Sequence, residues 1–188
     1  MTDKPLNGRR VLALVTNYGV EQDELLVPLK RLREDGADVT VAAATADSVQ
    51  TLVGDKDPGD TVEPDATFDV VDPDNYQLLL LPGGTLNADQ LRLDDRALAI
   101  VTAFVASGRP IAAICHGPWA LVEADAVRGK TLTSYASLRT DIRNAGAASW
   151  VDDPVVSDSA GGYTLITSRT PKDLDAFVSA INKALIGS

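Results

Sequence analysis

Four consecutive leucines, Leu78 to Leu81, stop abruptly at Pro82-Gly83-Gly84. Successive side chains of a strand point to opposite faces, so this stretch is apolar on both and predicts a central strand of a covered sheet. Residues 110–114 form a second short apolar run, bounded by the Gly108-Arg109-Pro110 turn, and read as another buried parallel strand. Residues 11–15 and 38–44 supply two more. Residues 20–35 read as a helix, with Leu25, Leu26, Leu29 and Leu32 at helical spacing and Gly36 as C-cap. A second helix is expected over 95–107, capped by Asp94, with Leu98, Val101 and Phe104 on its core-facing stripe. Strand–helix–strand units of this size imply parallel strands with right-handed crossovers. The expected fold class is α/β, a three-layer sandwich around a mostly parallel central sheet.

Residues 16–19 read as a turn. The region 45–74 is rich in Asp, Pro, Gly and Thr. It predicts short strands or a hairpin near 50–53 and 61–62, at the sheet edge, and is either a lid or interface or a solvated excursion. Further on, strands are expected at 131–133, 151, 155–156 and 163–167, the last two as a hairpin through Ser159-Ala160-Gly161-Gly162. Helices are expected at 119–124, at 138–145 and at 171–186, where Pro171 suits a first helical position.

The 188 residues are 45% hydrophobic, enough for one sizeable core, and no linker-like run divides them, so a single domain over 1–188 is expected. The net charge of −10 opposes nucleic-acid binding, which needs a basic footprint. One cysteine excludes an internal disulfide and a thioredoxin-like role. One cysteine with one histidine does not make a Zn site of the usual kind. No metal or cofactor is expected. No apolar run approaches transmembrane length and residues 1–10 are polar, so a cytoplasmic protein without signal peptide or membrane association is expected.

The only cysteine and the only histidine are neighbours, Cys115-His116, followed by Gly117-Pro118. Gly117 and Pro118 end a strand and begin a helix, which resembles the geometry of a nucleophile elbow. A thiol there stands near backbone N–H groups and a helix N-terminus, which favour a thiolate. The alternative is a small cysteine filling the core. Ligands collect at the carboxyl ends of such strands, where residues 15–21, 81–84 and 114–116 are expected to meet. A double glycine after a strand can cradle an anion, although without GxGxxG or a P-loop lysine the nucleotide signal is weak. Glu21 lies in the first of these segments. If it meets Cys115, like-charge repulsion keeps its proton on, and the carboxyl donates to sulfur. The other reading of Glu21 is plain helix N-terminal electrostatics, shared with Asp23 and Glu24.

The pattern Ala112-Ala-Ile-Cys-His-Gly-Pro118, with Leu80-Leu-Pro-Gly-Gly84 before it, resembles the DJ-1/ThiJ/PfpI superfamily, specifically its PfpI (protease I, peptidase C56) branch. Glu21 with Glu24-Leu25, Thr133-Ser-Tyr135, Asp141 to Gly146 and Ser168 to Leu174 carry the resemblance over nearly the whole chain. It implies a flavodoxin-like, class I glutamine amidotransferase-like sandwich. It also implies Cys115 as nucleophile, Glu21 as the protonated partner of its sulfur, and oxyanion donors from the backbone at Gly84 and His116. In that branch a carboxylate from a neighbouring subunit orients the histidine. Here it would be Asp89, one residue later and one methylene shorter than the archaeal Glu. A homodimer or higher homo-oligomer is implied.

The activities implied for such a stress-response protein are peptide hydrolysis or deglycase and glyoxalase action on methylglyoxal-type carbonyls. All need a thiolate that attacks a carbonyl carbon of a peptide or small-carbonyl substrate. Peptide hydrolysis also needs His116 to protonate the amine leaving group. A non-catalytic redox sensor or chaperone-like protein, with Cys115 oxidised to the sulfinic acid, is the reading from a different class.

Overall fold

The alternation of apolar runs with helices resolves into one large sheet and two small ones. The structure, a computed structural model, describes residues 4–187. In chain order the elements are β1 (Arg10–Val15), β2 (Tyr18–Glu21), α1 (Gln22–Glu34), β3 (Asp38–Ala43), β4 (Val49–Val53), β5 (Asp57–Val62), β6 (Ala66–Thr67) and β7 (Leu78–Leu81). There follow α2 (Thr85–Leu91), α3 (Asp95–Ser107), β8 (Ile111–Ile114), α4 (Pro118–Glu123), β9 (Thr131–Leu132), α5 (Arg139–Asn144), β10 (Ser149–Trp150), β11 (Val155–Asp158), β12 (Leu165–Ser168) and α6 (Leu174–Ile186).

The large sheet has the order β11-β12-β8-β7-β1-β3-β6 and is parallel except for β11, which pairs antiparallel with β12. The leucine run is its central strand. Leu78 and Leu80 enter the core on one face, with Leu25, Leu29 and Leu32 of α1 and Phe177, Ile181 and Leu185 of α6. Leu79 and Leu81 enter the other, with Ile100, Val101 and Phe104 of α3 and Leu121 of α4. All four leucines are fully buried, and each such burial is worth about 1.5–3 kcal/mol. Asp94 caps α3 as expected, accepting from the Arg96 and Ala97 N–H groups at 2.9 and 3.4 Å.

Three expectations change. The chain after β1 does not turn straight into a helix. Tyr18–Glu21 forms β2, so α1 starts at Gln22 rather than at 20. The hairpin of the 45–74 region exists as β4–β5, but it does not extend the main sheet. It joins β2 in a separate three-stranded sheet, β2-β4-β5, with Glu21 opposite Leu52, and the edge of the main sheet is β6. Residues 85–91 form the helix α2, for which no element was expected.

β1 feeds α1 on one face of the sheet, while its neighbour β7 feeds α2 and α3 towards the other. That reversal opens a crevice at the carboxyl ends of the strands, where open α/β sheets bind ligands. Among the described residues, no helix is long and apolar enough to cross a membrane.

Candidate active site

β8 ends at Ile114, and Cys115 takes a left-handed backbone with φ of 60°. For a residue with a Cβ this costs about 1–2 kcal/mol, and the surroundings hold it in place. The Cys115 N–H donates to the Ser168 carbonyl at 3.0 Å, and the Cys115 carbonyl accepts from the Tyr135 N–H at 2.9 Å. The sharp corner aims the side chain into a cavity of about 320 Å³. Its walls include Glu24, Asp55, Thr85, His116, Tyr135 and Pro171. Pro118 then opens α4.

The carboxyl that meets the sulfur belongs to Glu24, not Glu21. Glu24 is fully buried in α1, on the same face as Leu25, Pro28 and Leu32. Its Oε2 accepts the Gly83 N–H at 2.8 Å, and the carboxyl faces the Cys115 side chain across Gly83. Burial is the main cause that pushes its pKa to about 8, so Glu24 holds a proton at neutral pH. Glu21 instead sits at the end of β2 with its carboxylate on the β4–β5 turn. It accepts the Gly54 N–H at Oε1 and the Asp55 N–H at Oε2, each at 3.0 Å. The mismatch follows from β2: once Tyr18–Glu21 is a strand, the first helical turn places Glu24 on the inner face.

Gly83 is where the double glycine is needed. A Cβ there would stand 2.5 Å from Glu24 Oε2 and 2.9 Å from Cys115 Cβ, so only glycine lets the three meet. Gly84 adopts φ of 82° and is the N-cap of α2. Among the described residues, the N–H groups of Gly84 and His116 donate to no backbone carbonyl, and that of His116 lies close enough to the Cys115 sulfur to favour the thiolate. The position of the loop after β7 is fixed by Asn87, buried in α2, which sequence reasoning missed. Its Nδ2 donates to the Gly83 carbonyl at 2.9 Å and its Oδ1 accepts the Thr16 N–H at 2.7 Å, tying the end of β1 to the loop after β7.

His116 places Nδ1 3.2 Å from the Cys115 sulfur. Its ring stacks on Tyr135 with centroids 4.8 Å apart and tilts against Trp119 at 5.3 Å. Its Nε2 faces Thr85 Oγ1 at 3.4 Å and Ser137 Oγ at 3.3 Å. Burial pulls the imidazole pKa down, and the nearby charge of Asp55 opposes that. Asp89 is not in the cavity; it lies exposed on α2. The acid close to the histidine within this chain is Asp55, which the irregular 45–74 sequence gave no means to single out.

The thiol itself differs from expectation. Burial first, then the Glu24 charge, pushes its pKa up, while the His116 N–H pulls it down. α4 has only six residues, a short source of helix dipole. The resting thiol is therefore held protonated in this site, with His116 Nδ1 as the nearest acceptor for its proton.

With that geometry in place, comparison with known proteins gives a consistent picture. A family model described as the DJ-1/PfpI family matches residues 9–184. Deglycase PfpI of Pyrococcus furiosus is 38% identical over 94% of this chain and 99% of its own length. The putative cysteine protease YraA of Bacillus subtilis is 37% identical over 90% of this chain and 94% of its own. The crystal structure of Drosophila melanogaster DJ-1beta superposes with a TM-score of 0.84 at 29% identity, covering 96% of this chain and 91% of that one. The chain belongs to the DJ-1/PfpI family.

Proposed function

We propose that this protein is a cysteine-dependent hydrolase of the deglycase type, acting on methylglyoxal-type carbonyl adducts through Cys115. The observation that carries the reading is the elbow thiol at φ 60° between a protonated, fully buried Glu24 and the Nδ1 of His116. In the proposed reaction the thiol proton passes to His116 Nδ1 and sulfur bonds to the carbonyl carbon. The C=O π pair moves onto oxygen, which the N–H groups of Gly84 and His116 receive. Glu24 donates its O–H to sulfur before attack, and the His116 imidazolium formed in the step is the acid beside the new adduct. The names of relatives, deglycase among them, support the class.

A cavity of about 320 Å³ sits at the low end for ligand sites, which favours a small carbonyl adduct over an extended peptide. Peptide cleavage is the second reading. His116 beside the sulfur supplies the acid an amine leaving group needs, and YraA carries a protease name. A cytoplasmic stress role and assembly as a homodimer or larger oligomer, with the exposed Asp89 of α2 near the contact, belong to the same proposal.

The test is adduct consumption and peptide cleavage assayed side by side on the wild type, Cys115→Ser and Cys115→Ala. The expected result is adduct turnover that exceeds peptide cleavage and disappears in both variants. Turnover that persists in Cys115→Ala overturns the assignment.

A further inference from the structure

We propose that Asp55 and Thr85 form a relay within the chain that fixes the tautomer of His116 and readies its Nδ1 to take the Cys115 proton. The inference rests on the reading of Cys115 as nucleophile, but the geometry behind it is separate. Asp55 sits on the β4–β5 turn with φ of 57°, held there by Glu21, which accepts its N–H and that of Gly54. From that corner its carboxyl grips the start of α2 twice. Oδ1 accepts the Thr85 N–H and Oδ2 accepts the Thr85 O–H, each at 2.8 Å.

A threonine hydroxyl has one proton and two lone pairs. With the proton committed to Asp55, Thr85 Oγ1 offers only a lone pair to His116 Nε2, 3.4 Å away. For that contact to be a hydrogen bond Nε2 must carry the hydrogen, and Ser137 Oγ at 3.3 Å is placed to accept from the same N–H. Neutral His116 is thereby left with an unprotonated Nδ1, 3.2 Å from sulfur. When the thiol proton moves to Nδ1, the pair becomes thiolate and imidazolium, and the Asp55 charge stabilises the cation through the Thr85 hydroxyl. Catalytic contacts that are long in the resting state tighten when substrate binds.

The charged and titratable groups around the ring agree with this. β2 contributes Glu21, α1 Glu24, the β4–β5 turn Asp55, and the segment after β9 Tyr135, with Thr170-Pro171 closing the cavity. Asp141 of α5 is engaged by Trp119 Nε1 at 2.9 Å. Among the described residues, no lysine or arginine lines the cavity, so Asp55 is free to favour imidazolium. Glu21 thus acts at third hand, by holding the turn that delivers Asp55. Asp55 and Thr85 are positioning residues, and they supply within one chain the orientation that Asp89 was expected to supply across subunits.

The chain has a single histidine, so ¹⁵N-histidine labelling of the full-length protein reports His116 alone. The expected spectrum of the neutral ring is the Nε2–H tautomer. Thr85→Val and Asp55→Asn should lower the His116 pKa and mix the tautomers, whereas Thr85→Ser should preserve both. Asn tolerates a left-handed backbone, and should either variant misfold, the other carries the test. Iodoacetamide alkylation of Cys115 should slow by about 10-fold in Thr85→Val and recover in Thr85→Ser, less than the loss of a whole general base. A neutral Nδ1–H ring in the wild type, or an unchanged titration in Thr85→Val and Asp55→Asn, overturns the relay. Because the spectrum does not depend on turnover, failure of the deglycase assays leaves this measurement to decide on its own.

Discussion

Two ionisable side chains are buried at opposite regions of the molecule, and they are treated differently. Lys130, 1% exposed, directs its ammonium at the backbone carbonyls of Asp158, Ala160 and Tyr163, with the Asp158 carboxylate 4.0 Å away and the Tyr163 ring beneath it. It locks the turn of the β11–β12 hairpin. Glu24, fully buried, has one backbone N–H on Oε2, while its Oε1 is buried with no hydrogen-bond partner among the described residues. A buried charge that is fully partnered is a structural fixture, and one left short of partners keeps its proton and remains available to react. The fold thus contains both solutions to the same problem, and only the under-partnered group lies beside the thiol.

The largest expected effect tests the Glu24 half of that contrast. Its pKa is raised from 4.5 to about 8 on folding, mainly by burial. Between those pH values the folded protein holds a proton that the unfolded chain has released. The stability tied to Glu24 is therefore fully present below pH 4.5 and is lost as pH rises through 8, by up to roughly 5 kcal/mol. Denaturant unfolding of wild type and Glu24→Gln from pH 5 to 9 should show the gap between them moving in favour of the glutamine across that window. A constant gap would mean that Glu24 is ionised throughout. Glu24→Ala, unable to donate to sulfur, should slow Cys115 alkylation more than Glu24→Gln does.

Lys130→Met tests the other half. Removing the ammonium leaves three carbonyls facing an apolar chain, with an expected loss of about 3–5 kcal/mol. The Cys115 alkylation rate of the folded fraction should stay at the wild-type value. If alkylation changes with stability, the two buried groups are coupled and the comparison fails. Gly83→Ala is expected to be smaller, about 1–3 kcal/mol in stability, with a marked loss of alkylation, because the new Cβ pushes Glu24 from Cys115. Smallest of all, Arg128→Ala removes an exposed pair with Asp125 at 2.9 Å and should shift stability by less than about 1 kcal/mol.

The parts of this molecule visible in the sequence are those set by local pattern. The leucine strand, the Asp94 cap, the elbow at Cys115 and the last helix all follow from apolar runs and turn residues close to them. Glu24 carried a readable signal that the wrong helix start obscured: it shares the stripe of Leu25, Pro28 and Leu32, an acid on an apolar face. Asp55 and Thr85 carried none. Asp on a turn and Thr after a glycine pair are ordinary residues there, and their meeting depends on β2 and β4 pairing at a separation of about thirty residues. Non-local strand pairing of this kind has no short-range signature.

The left-handed backbone at Cys115 also bears on what substitutions the position would tolerate. A cysteine used only as filler costs stability when removed. At φ of 60° a glycine would relieve strain of ~1 kcal/mol or more. A library randomised at position 115 and selected only for heat resistance should therefore return glycine or asparagine. The same library selected for thiol reactivity can return only cysteine. The two selections diverge at a residue that is 6% exposed, where ordinary interior positions would make them coincide.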